Sequence, residues 1–361
     1  MNNQQEKIKL HIPAGNLDCL REAVNQGADV VYLGLAGPTN LRNFAGINFS
    51  AADAAAGVEY AHRYGKTVLI TVNSFPQSPQ LPHCYAAIDL AQDISADGVI
   101  LADLDLLDYT CCKYPNLKVY VSVQAGACHA EAIKFYEQEF GIEWIILPRV
   151  LSLPEIKAIA SQTKVKIEVF AFGSLCINFE GRCSLSSYIT GESTNTVGTC
   201  STPRYLTFEH NGCLTAKMCG KAIGKYEYAE LKNDPHFTNG MPQEEISQWG
   251  NHFMINRRQI CKGQYVNREL NRTNYALNDL VYLDTLPVLP RLIDAGVAAL
   301  KVEGRQRNLE YVGLITRLFR ELIDFYYQYP DSYMSAISQQ GNFCHSLFPQ
   351  ITPSLACYQG K

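Results

Sequence analysis

Three cysteines, Cys176, Cys183 and Cys200, fall within one polar segment of the chain, CINFEGRCSLSSYITGESTNTVGTC. The segment also carries several glycines, which have no Cβ atom and therefore let a backbone wrap closely around a compact object. Buried thiols that serve only packing behave as small apolar side chains and belong on periodic apolar elements. Because this segment is polar and irregular, the three cysteines are predicted to bind a metal centre.

The spacing of these cysteines favours an iron–sulfur cluster over zinc. Structural zinc sites usually show cysteine pairs separated by about two to four residues, and the spacings here are wider. Cubane clusters are held by four thiolates from irregular loops. A fourth thiolate is then required, and Cys213, Cys219 and Cys261 are the candidates. Spacing alone leaves the choice among them open.

The composition indicates a folded enzyme without an export signal. Hydrophobic residues make up 47% and charged residues 18% of the 361 residues, a balance typical of globular proteins. The N-terminus lacks the apolar stretch of a signal peptide, and no run of about 18 apolar residues predicts a transmembrane segment. We therefore expect a cytoplasmic protein whose thirteen cysteines stay reduced. The net charge of −4, with no basic run, argues against nucleic acid as a partner.

Short apolar strands alternate with helical patterns along most of the chain, which predicts repeated βα units and a parallel sheet covered on both faces. Seven strands precede the cysteine segment, and an eighth follows much later. Eight βα units favour an α/β fold of the (β/α)8 TIM-barrel-like type. The predicted strands are residues 9–13, 29–35, 67–73, 98–102, 118–124, 143–149, 166–173 and 299–304.

Four regions follow from this pattern. Residues 1–173 hold barrel units one to seven, and residues 174–280 form a cysteine-rich insertion between the seventh and eighth units. The insertion includes a small β hairpin, because Asn211 and Gly212 lie between two strand-like runs and fit a type I′ turn. Residues 281–330 supply the last barrel strand and helix, and residues 331–361 form a tail.

Polar side chains follow the predicted strands, at the end of a barrel where reactive groups are placed. This ring includes Asn16, Asn40, Asp103 and Glu303. Its arginines suit the recognition of carboxylates, since a guanidinium group binds both carboxylate oxygens at once. The sequence therefore predicts an acidic small-molecule substrate. The candidate substrate-binding residues are Arg42, Asn73, Gln124, Arg149 and Arg305.

Common catalytic signatures are absent from the sequence. It contains no H-E-x-x-H zinc helix, no G-x-S-x-G nucleophile elbow and no G-x-G-x-x-G dinucleotide fingerprint. These absences argue against a zinc protease, a serine hydrolase and a dehydrogenase that uses NAD.

Several longer segments resemble the collagenase-like peptidase family, and in particular its members that act in ubiquinone biosynthesis. They are EVFAFGSLCINFEGRCSLSSYITGES, GTCSTPR, ICKGQY and LKVEGRQR, together with PAGNLDCLREAVNQGADVVYLGL, TNLRNFAGINFS and ILPRVLS. The resemblance covers most of residues 10–208 and 261–327. It implies a barrel-like fold and a 4Fe-4S cluster. The ligands that it implies are Cys176, Cys183, Cys200 and Cys261.

The same resemblance implies a function and partners. It implies an oxygen-independent hydroxylase subunit that acts on a prenylated phenol or quinone precursor, with prephenate as hydroxyl donor. It also implies a heterodimer with a UbiV-like subunit that carries its own cluster. Residues 210–260 are longer than the family pattern, so Cys213 and Cys219 stay alternatives to Cys261. The rival functions are prephenate-dependent hydroxylation of tRNA or rRNA, as in relatives of the same family, a peptidase, and a cluster that serves only structure or sensing.

Overall fold

Eight parallel strands close into a barrel in the computed structural model of the chain. The structure describes residues 6–43, 47–176, 178–198, 200, 207–208, 214–215, 261, 264–267, 272–275, 281–340 and 352–359. The strands in these ranges are β1 (Lys9–Pro13), β2 (Val30–Gly34), β3 (Thr67–Val72), β4 (Gly98–Leu101), β5 (Lys118–Val121), β6 (Trp144–Ile146), β7 (Lys166–Ser174), β8 (Thr207–Phe208), β9 (Leu214–Thr215), β10 (Gln264–Asn267), β11 (Arg272–Tyr275), β12 (Val281–Asp284), β13 (Val297–Val302) and β14 (Thr352–Ser354).

Most helices follow barrel strands and cover the outside of the sheet. The helices are α1 (Leu17–Asn25), α2 (Ala51–Arg63), α3 (Leu81–Asp93), α4 (Leu104–Lys113), α5 (Ala130–Phe140), α6 (Leu153–Ala160), α7 (Leu185–Thr190), α8 (Thr194–Val197), α9 (Leu289–Asp294), α10 (Leu309–Gln328) and α11 (Tyr333–Gln340). Of these, α7 and α8 lie in the cysteine loop and contribute residues to a cavity at the barrel mouth. Among the residues described, no helix is both long and apolar enough to cross a bilayer.

The order of the strands confirms the predicted barrel. Each strand from β1 to β7 pairs in parallel with the next, and β13 pairs in parallel with both β7 and β1. The barrel strands are buried along nearly their whole length, as expected when helices cover one face and the barrel interior the other. The (β/α)8 TIM-barrel-like fold is therefore correct.

Two predicted strands are shorter than expected. β5 ends at Val121 because the hydroxyl of Ser122 accepts a hydrogen bond from the N–H of Gln124 at 3.3 Å, and the chain turns into a short 3-10 helix. β6 ends at Ile146, two residues before Pro148, which has no N–H for a ladder hydrogen bond. These early ends place Gln124 and the residues after β6 in loops above the barrel.

Two strands extend the sheet beyond the barrel and were not predicted. β12 pairs antiparallel with β7, and β14 pairs in parallel with β12. In the predicted hairpin, Thr207 and Phe208 pair antiparallel with Thr215 and Leu214. The predicted turn at Asn211 and Gly212 lies outside the described residues.

Helix α10 shows how sequence places a helix on this barrel. It begins where the side chain of Asn308 accepts a hydrogen bond from the N–H of Tyr311 at 3.0 Å. Its buried residues recur at helical spacing and form an apolar stripe that faces the barrel. Burial of that stripe fixes α10 beside α1, and so fixes β13 and the loop that precedes α10.

Candidate active site at the barrel mouth

A cavity opens at the carboxyl ends of the barrel strands, the position where barrel enzymes bind their substrates. Its volume is about 150 Å³, comparable with an engineered protein cavity that holds one benzene molecule. Strand residues line its inner end, here called the cavity floor: Tyr32, Thr71, Ile100, Ile146, Phe170 and Lys301.

The structure brings together all five side chains that the sequence predicted to bind substrate. Each of them lines the cavity: Arg42, Asn73, Gln124, Arg149 and Arg305. Two other members of the predicted polar ring have a different role. Asn16 accepts a hydrogen bond from the N–H of Cys19 and begins α1, and Asp103 accepts from the N–H groups of Asp105 and Leu106 and begins α4. Those two are helix caps.

The four cysteines implied by the family resemblance line the same cavity: Cys176, Cys183, Cys200 and Cys261. Cys176 comes two residues after the end of β7, and the other three reach the cavity from the insertion. Within the insertion, Cys213 and Cys219 lie outside the described residues. The described part of the chain therefore supports Cys261 as a neighbour of the other three.

Two glycines allow the cysteine loop to lie directly against the loops that follow β2 and β5. Gly181 has φ of +80°, and a Cβ atom there would lie 2.1 Å from the carbonyl oxygen of Gln124. Gly198 also has φ of +80°, and a Cβ atom there would lie 2.2 Å from the carbonyl oxygen of Asn40. Each contact excludes a larger residue. The N–H of Cys200 then donates to the carbonyl of Leu41 at 3.2 Å, which holds the loop in place.

Two of the mouth arginines are neutralised by carboxylates. Glu303 bridges them, with one oxygen on Arg42 and the other 3.1 Å from Nη1 of Arg149. Arg149 also donates through Nε to Glu180 at 2.7 Å and through Nη1 to the carbonyl of Ser174. Burial acts to lower the pKa of both arginines, but the carboxylates raise it above the ordinary value. These two guanidinium groups therefore stay charged and have carboxylate partners inside the protein.

Arg305 differs from the other two arginines. It is 5% exposed, its Nη2 donates to the side-chain oxygen of Asn40 at 2.7 Å, and its Nη1 has no hydrogen-bond partner in the described part of the chain. Gly34 leaves it room, because a Cβ atom there would lie 2.2 Å from Nη1. Burial, and then the nearby charge of Arg42, lower the pKa of Arg305 to about 10. A bound anion would supply the partner that Nη1 lacks.

The mouth presents four cysteine side chains, the number of thiolates that hold a cubane cluster. One tetrahedral ion with metal–sulfur bonds of about 2.3 Å draws its sulfur ligands to within roughly 4 Å of one another. Within the described ranges, no group of three cysteine, histidine or acidic side chains is placed to hold such an ion. A cubane carries each thiolate on a different iron atom and needs a wider arrangement. Arg305, which has no carboxylate partner in the described part of the chain, would offset part of its negative charge.

Three buried ionisable residues were missed by the sequence reasoning: His11, Glu168 and Lys301. Lys301 belongs to the cavity floor, and Nζ lies 2.7 Å from Oε1 of Glu168 and 3.8 Å from the centre of the Tyr32 ring. The signal that could have found them is an ionisable residue after the first position of each of three otherwise apolar strands, β1, β7 and β13. An ion in such a strand faces the barrel interior and needs a partner there.

No histidine is among the residues that line the cavity in the described part of the chain. The ionisable side chains that line it are those of cysteine, arginine, lysine, glutamate and tyrosine.

Comparison with known proteins gives a consistent family. A family model described as "Peptidase family U32" matches residues 15–342. The "tRNA hydroxylation protein P" of Escherichia coli (strain K12) is 31% identical over 88% of this chain and 68% of its own length. The "tRNA hydroxylation protein P1" of Bacillus subtilis (strain 168) is 27% identical over 91% of this chain and 66% of its own length.

A third relative modifies a different RNA. The "23S rRNA 5-hydroxycytidine C2501 synthase" of Escherichia coli (strain K12) is 28% identical over 90% of this chain and 40% of its own length. The chain spans about two thirds of the length of the two tRNA hydroxylation proteins. The similarity therefore covers the barrel and its insertion but not the whole of any of these relatives.

Proposed function

The chain belongs to peptidase family U32, and we propose that it is a hydroxylase. It would add a hydroxyl group to one ring of a substrate held in the mouth cavity. We propose that this ring is a base of tRNA. The activities of the three relatives support hydroxylation, and two of the three concern tRNA. The observation that carries the proposal is that four cysteines and Arg305, an arginine without a carboxylate partner among the described residues, line one small cavity.

The volume of the cavity matches a single ring. About 150 Å³ holds a group of benzene size, and enzymes that modify a base take it out of the stack and into a pocket of its own shape. Apolar and aromatic floor residues, Ile100, Ile146 and Phe170, would contact the faces of the ring. The amide side chains of Asn73 and Gln124 would contact its polar edge.

Arg305 would bind the carboxylate of the hydroxyl donor, for which we propose prephenate. A planar guanidinium with one unpartnered nitrogen suits a carboxylate. Arg42 and Arg149 have their charge matched by Glu303 and Glu180, so their role would be to hold the cysteine loop against the strands. This division narrows the predicted set of substrate-binding arginines to one.

A 4Fe-4S cluster would be held by Cys176, Cys183, Cys200 and Cys261, and would supply electron transfer or activation of a bound ligand. The chain's own residues would keep that region closed to water and balance its charge. The fit rests on the shared cavity and on the three arginines that line it.

The test uses E. coli cells that lack their tRNA hydroxylation protein P. The chain is expressed in them, tRNA is digested to nucleosides, and hydroxylated nucleosides are measured by mass spectrometry. We expect the parent chain to restore them. Cys176→Ala should abolish them together with bound iron, and Arg305→Gln should lower them about 10-fold or more while iron is kept, because an ionic hydrogen bond to the donor is lost. Matched controls are Cys112→Ala and Arg317→Gln, which are exposed.

A tRNA profile identical to that of cells without the chain would contradict the RNA part of the proposal. Product from Arg305→Gln at the parent level would contradict the role of Arg305. Anaerobically purified chain without iron would contradict the cluster.

A quinone precursor is the second candidate substrate. It is favoured by the net charge of −4 and by a cavity sized for one ring, since RNA binding usually draws on a basic surface. In this case the chain would be a UbiU-type subunit with a UbiV-like partner. The same expression, carried out without oxygen in cells that cannot hydroxylate the quinone ring, distinguishes the two: restored quinone with unchanged tRNA would select this candidate.

A further inference from the structure

A buried triad of ionisable side chains, His11, Glu168 and Lys301, lies inside the barrel at the floor of the cavity. Glu168 and His11 are each 0% exposed, and Lys301 is 5% exposed. Glu168 is shared: Oε1 accepts from Nζ of Lys301 at 2.7 Å, and Oε2 lies 3.0 Å from Nδ1 of His11. A carboxylate is kept so deep in a barrel only when cations or donors surround it.

His11 holds its place by packing rather than by hydrogen bonds. Its ring centre lies 6.2 Å from that of Tyr120 and 5.7 Å from that of Trp144. The contact with Glu168 is within ion-pair distance, but neither ring nitrogen makes a hydrogen bond in the described part of the chain. Lys301 is opposite His11 in the register between β1 and β13. The triad is therefore set by strand pairing.

Lys301 is the member of the triad that reaches the cavity. It belongs to the cavity floor, while Glu303 and Arg305, on the loop that follows β13, line the same cavity. An anion held by Arg305 would therefore share the cavity with Lys301.

We propose that Lys301 exchanges a proton with the ligand in the mouth cavity, and that Glu168 and His11 position its ammonium group. The role rests on the proposed function, since it concerns the same cavity. In the exchange an N–H bond of Nζ breaks, its electron pair stays on nitrogen, and the proton bonds to an oxygen of the ligand. The reverse step returns the proton, and Glu168 keeps its negative charge throughout.

The chemistry of the triad supports this role. Lysine changes its protonation state readily when buried, whereas arginine holds its charge. Burial lowers the pKa of Lys301, and Glu168 opposes that effect. Burial raises the pKa of Glu168, but His11 and Lys301 more than offset this and lower it to about 2. The carboxylate of Glu168 therefore stays charged, and Lys301 is the member of the pair that can give up a proton.

The test separates a proton-exchange role from a purely structural ion pair. Lys301→Met alone leaves Glu168 buried without its ammonium partner, and we expect it to lower the melting temperature. The double variant Lys301→Met with Glu168→Met removes both charges and should regain that stability. It should keep the parent's iron content but make ~100-fold less hydroxylated product per chain, as expected for loss of an acid–base group. Lys118→Met, on the exposed end of β5, is the control.

Lys301→Arg is the second variant. It keeps a cation beside Glu168 but cannot exchange a proton, so we expect folded, iron-containing protein with the same loss of product. Parent-level product from either the double variant or Lys301→Arg would overturn the proposal for Lys301 and leave the hydroxylase function intact. If the parent chain makes hydroxylated product on neither tRNA nor quinone, the proposed function fails, and this role fails with it.

Discussion

Two buried carboxylates, Glu168 inside the barrel and Glu303 at its mouth, are each shared between two basic side chains, but those side chains differ in chemistry. Glu303 lies between Arg42 and Arg149, whose charges are permanent. Glu168 lies between His11 and Lys301, and burial lowers the pKa of Lys301. The ion pairs of Glu303 with Arg42 and Arg149, here called the clamp, keep their charges at the mouth. Lys301, on the cavity floor, can change its charge.

The clamp around Glu303 connects the cysteine loop to the barrel. Arg149 contacts Glu303 on the loop after β13, Glu180 in the cysteine loop and the carbonyl of Ser174 at the end of β7. Glu303 and Glu180 match the charges of two arginines, whereas Nη1 of Arg305 has no hydrogen-bond partner in the described part of the chain. The three arginines that the sequence places at the barrel mouth therefore differ in their partners.

The largest expected effect comes from breaking the clamp. Glu303→Gln leaves Arg42, whose side chain is 15% exposed, with no carboxylate partner among the described residues, and Arg42 cannot lose its charge. We expect the free energy of unfolding to fall by about 3 to 5 kcal/mol, measured by denaturant unfolding of the iron-loaded protein. Glu168→Gln should cost less at neutral pH, because Lys301 can lose its proton.

Glu139→Gln, an exposed change on α5, is the control for both variants. Equal losses of stability from Glu303→Gln and Glu168→Gln would contradict the distinction between a permanent and a titratable partner.

A smaller effect is expected from acidification. The pKa of Glu168 lies at about 2, below its ordinary value of 4.5, so its ionised form stabilises the fold. That contribution is complete above about pH 4.5 and is lost as the pH falls through 2. It amounts to about 3 kcal/mol. The difference in unfolding free energy between the parent and Glu168→Gln should shrink by that amount between pH 5 and pH 2, and a difference that stays constant would show that Glu168 is not ionised against its neighbours.

The barrel could be predicted because its information is local. Each strand is a short apolar run between turn residues, and the capping box that begins α6 involves Ser152 and Glu155, which are three residues apart. β12 and β14 escaped prediction because they pair with β7 and with each other across long stretches of chain. A two-strand extension of a barrel leaves no periodic signal in the sequence.

The same distinction between local and long-range information applies to the candidate site. Strand ends pointed to all five mouth residues, because the parallel barrel gathers the ends of its strands at one face. The sequence could not tell Asn16, which caps a helix, from Arg305, which lines the cavity, since both follow a strand. It also missed Glu168 and Lys301, which lie 133 residues apart and meet only through the pairing of β7 with β13.

The smallest expected effect concerns a third carboxylate near the strand ends. Asp103 is held by two backbone N–H groups at the start of α4 instead of by cations. Asp103→Ala should lower the free energy of unfolding by about 1 kcal/mol, and Asp103→Asn by only a few tenths because asparagine also caps helices. Hydroxylated product per folded chain should equal the parent's for both variants. A 10-fold loss of product with Asp103→Ala would place Asp103 in the binding machinery with Arg305. All polar residues at the strand ends would then belong to one binding site, and the distinction between substrate-binding residues and helix caps would be wrong.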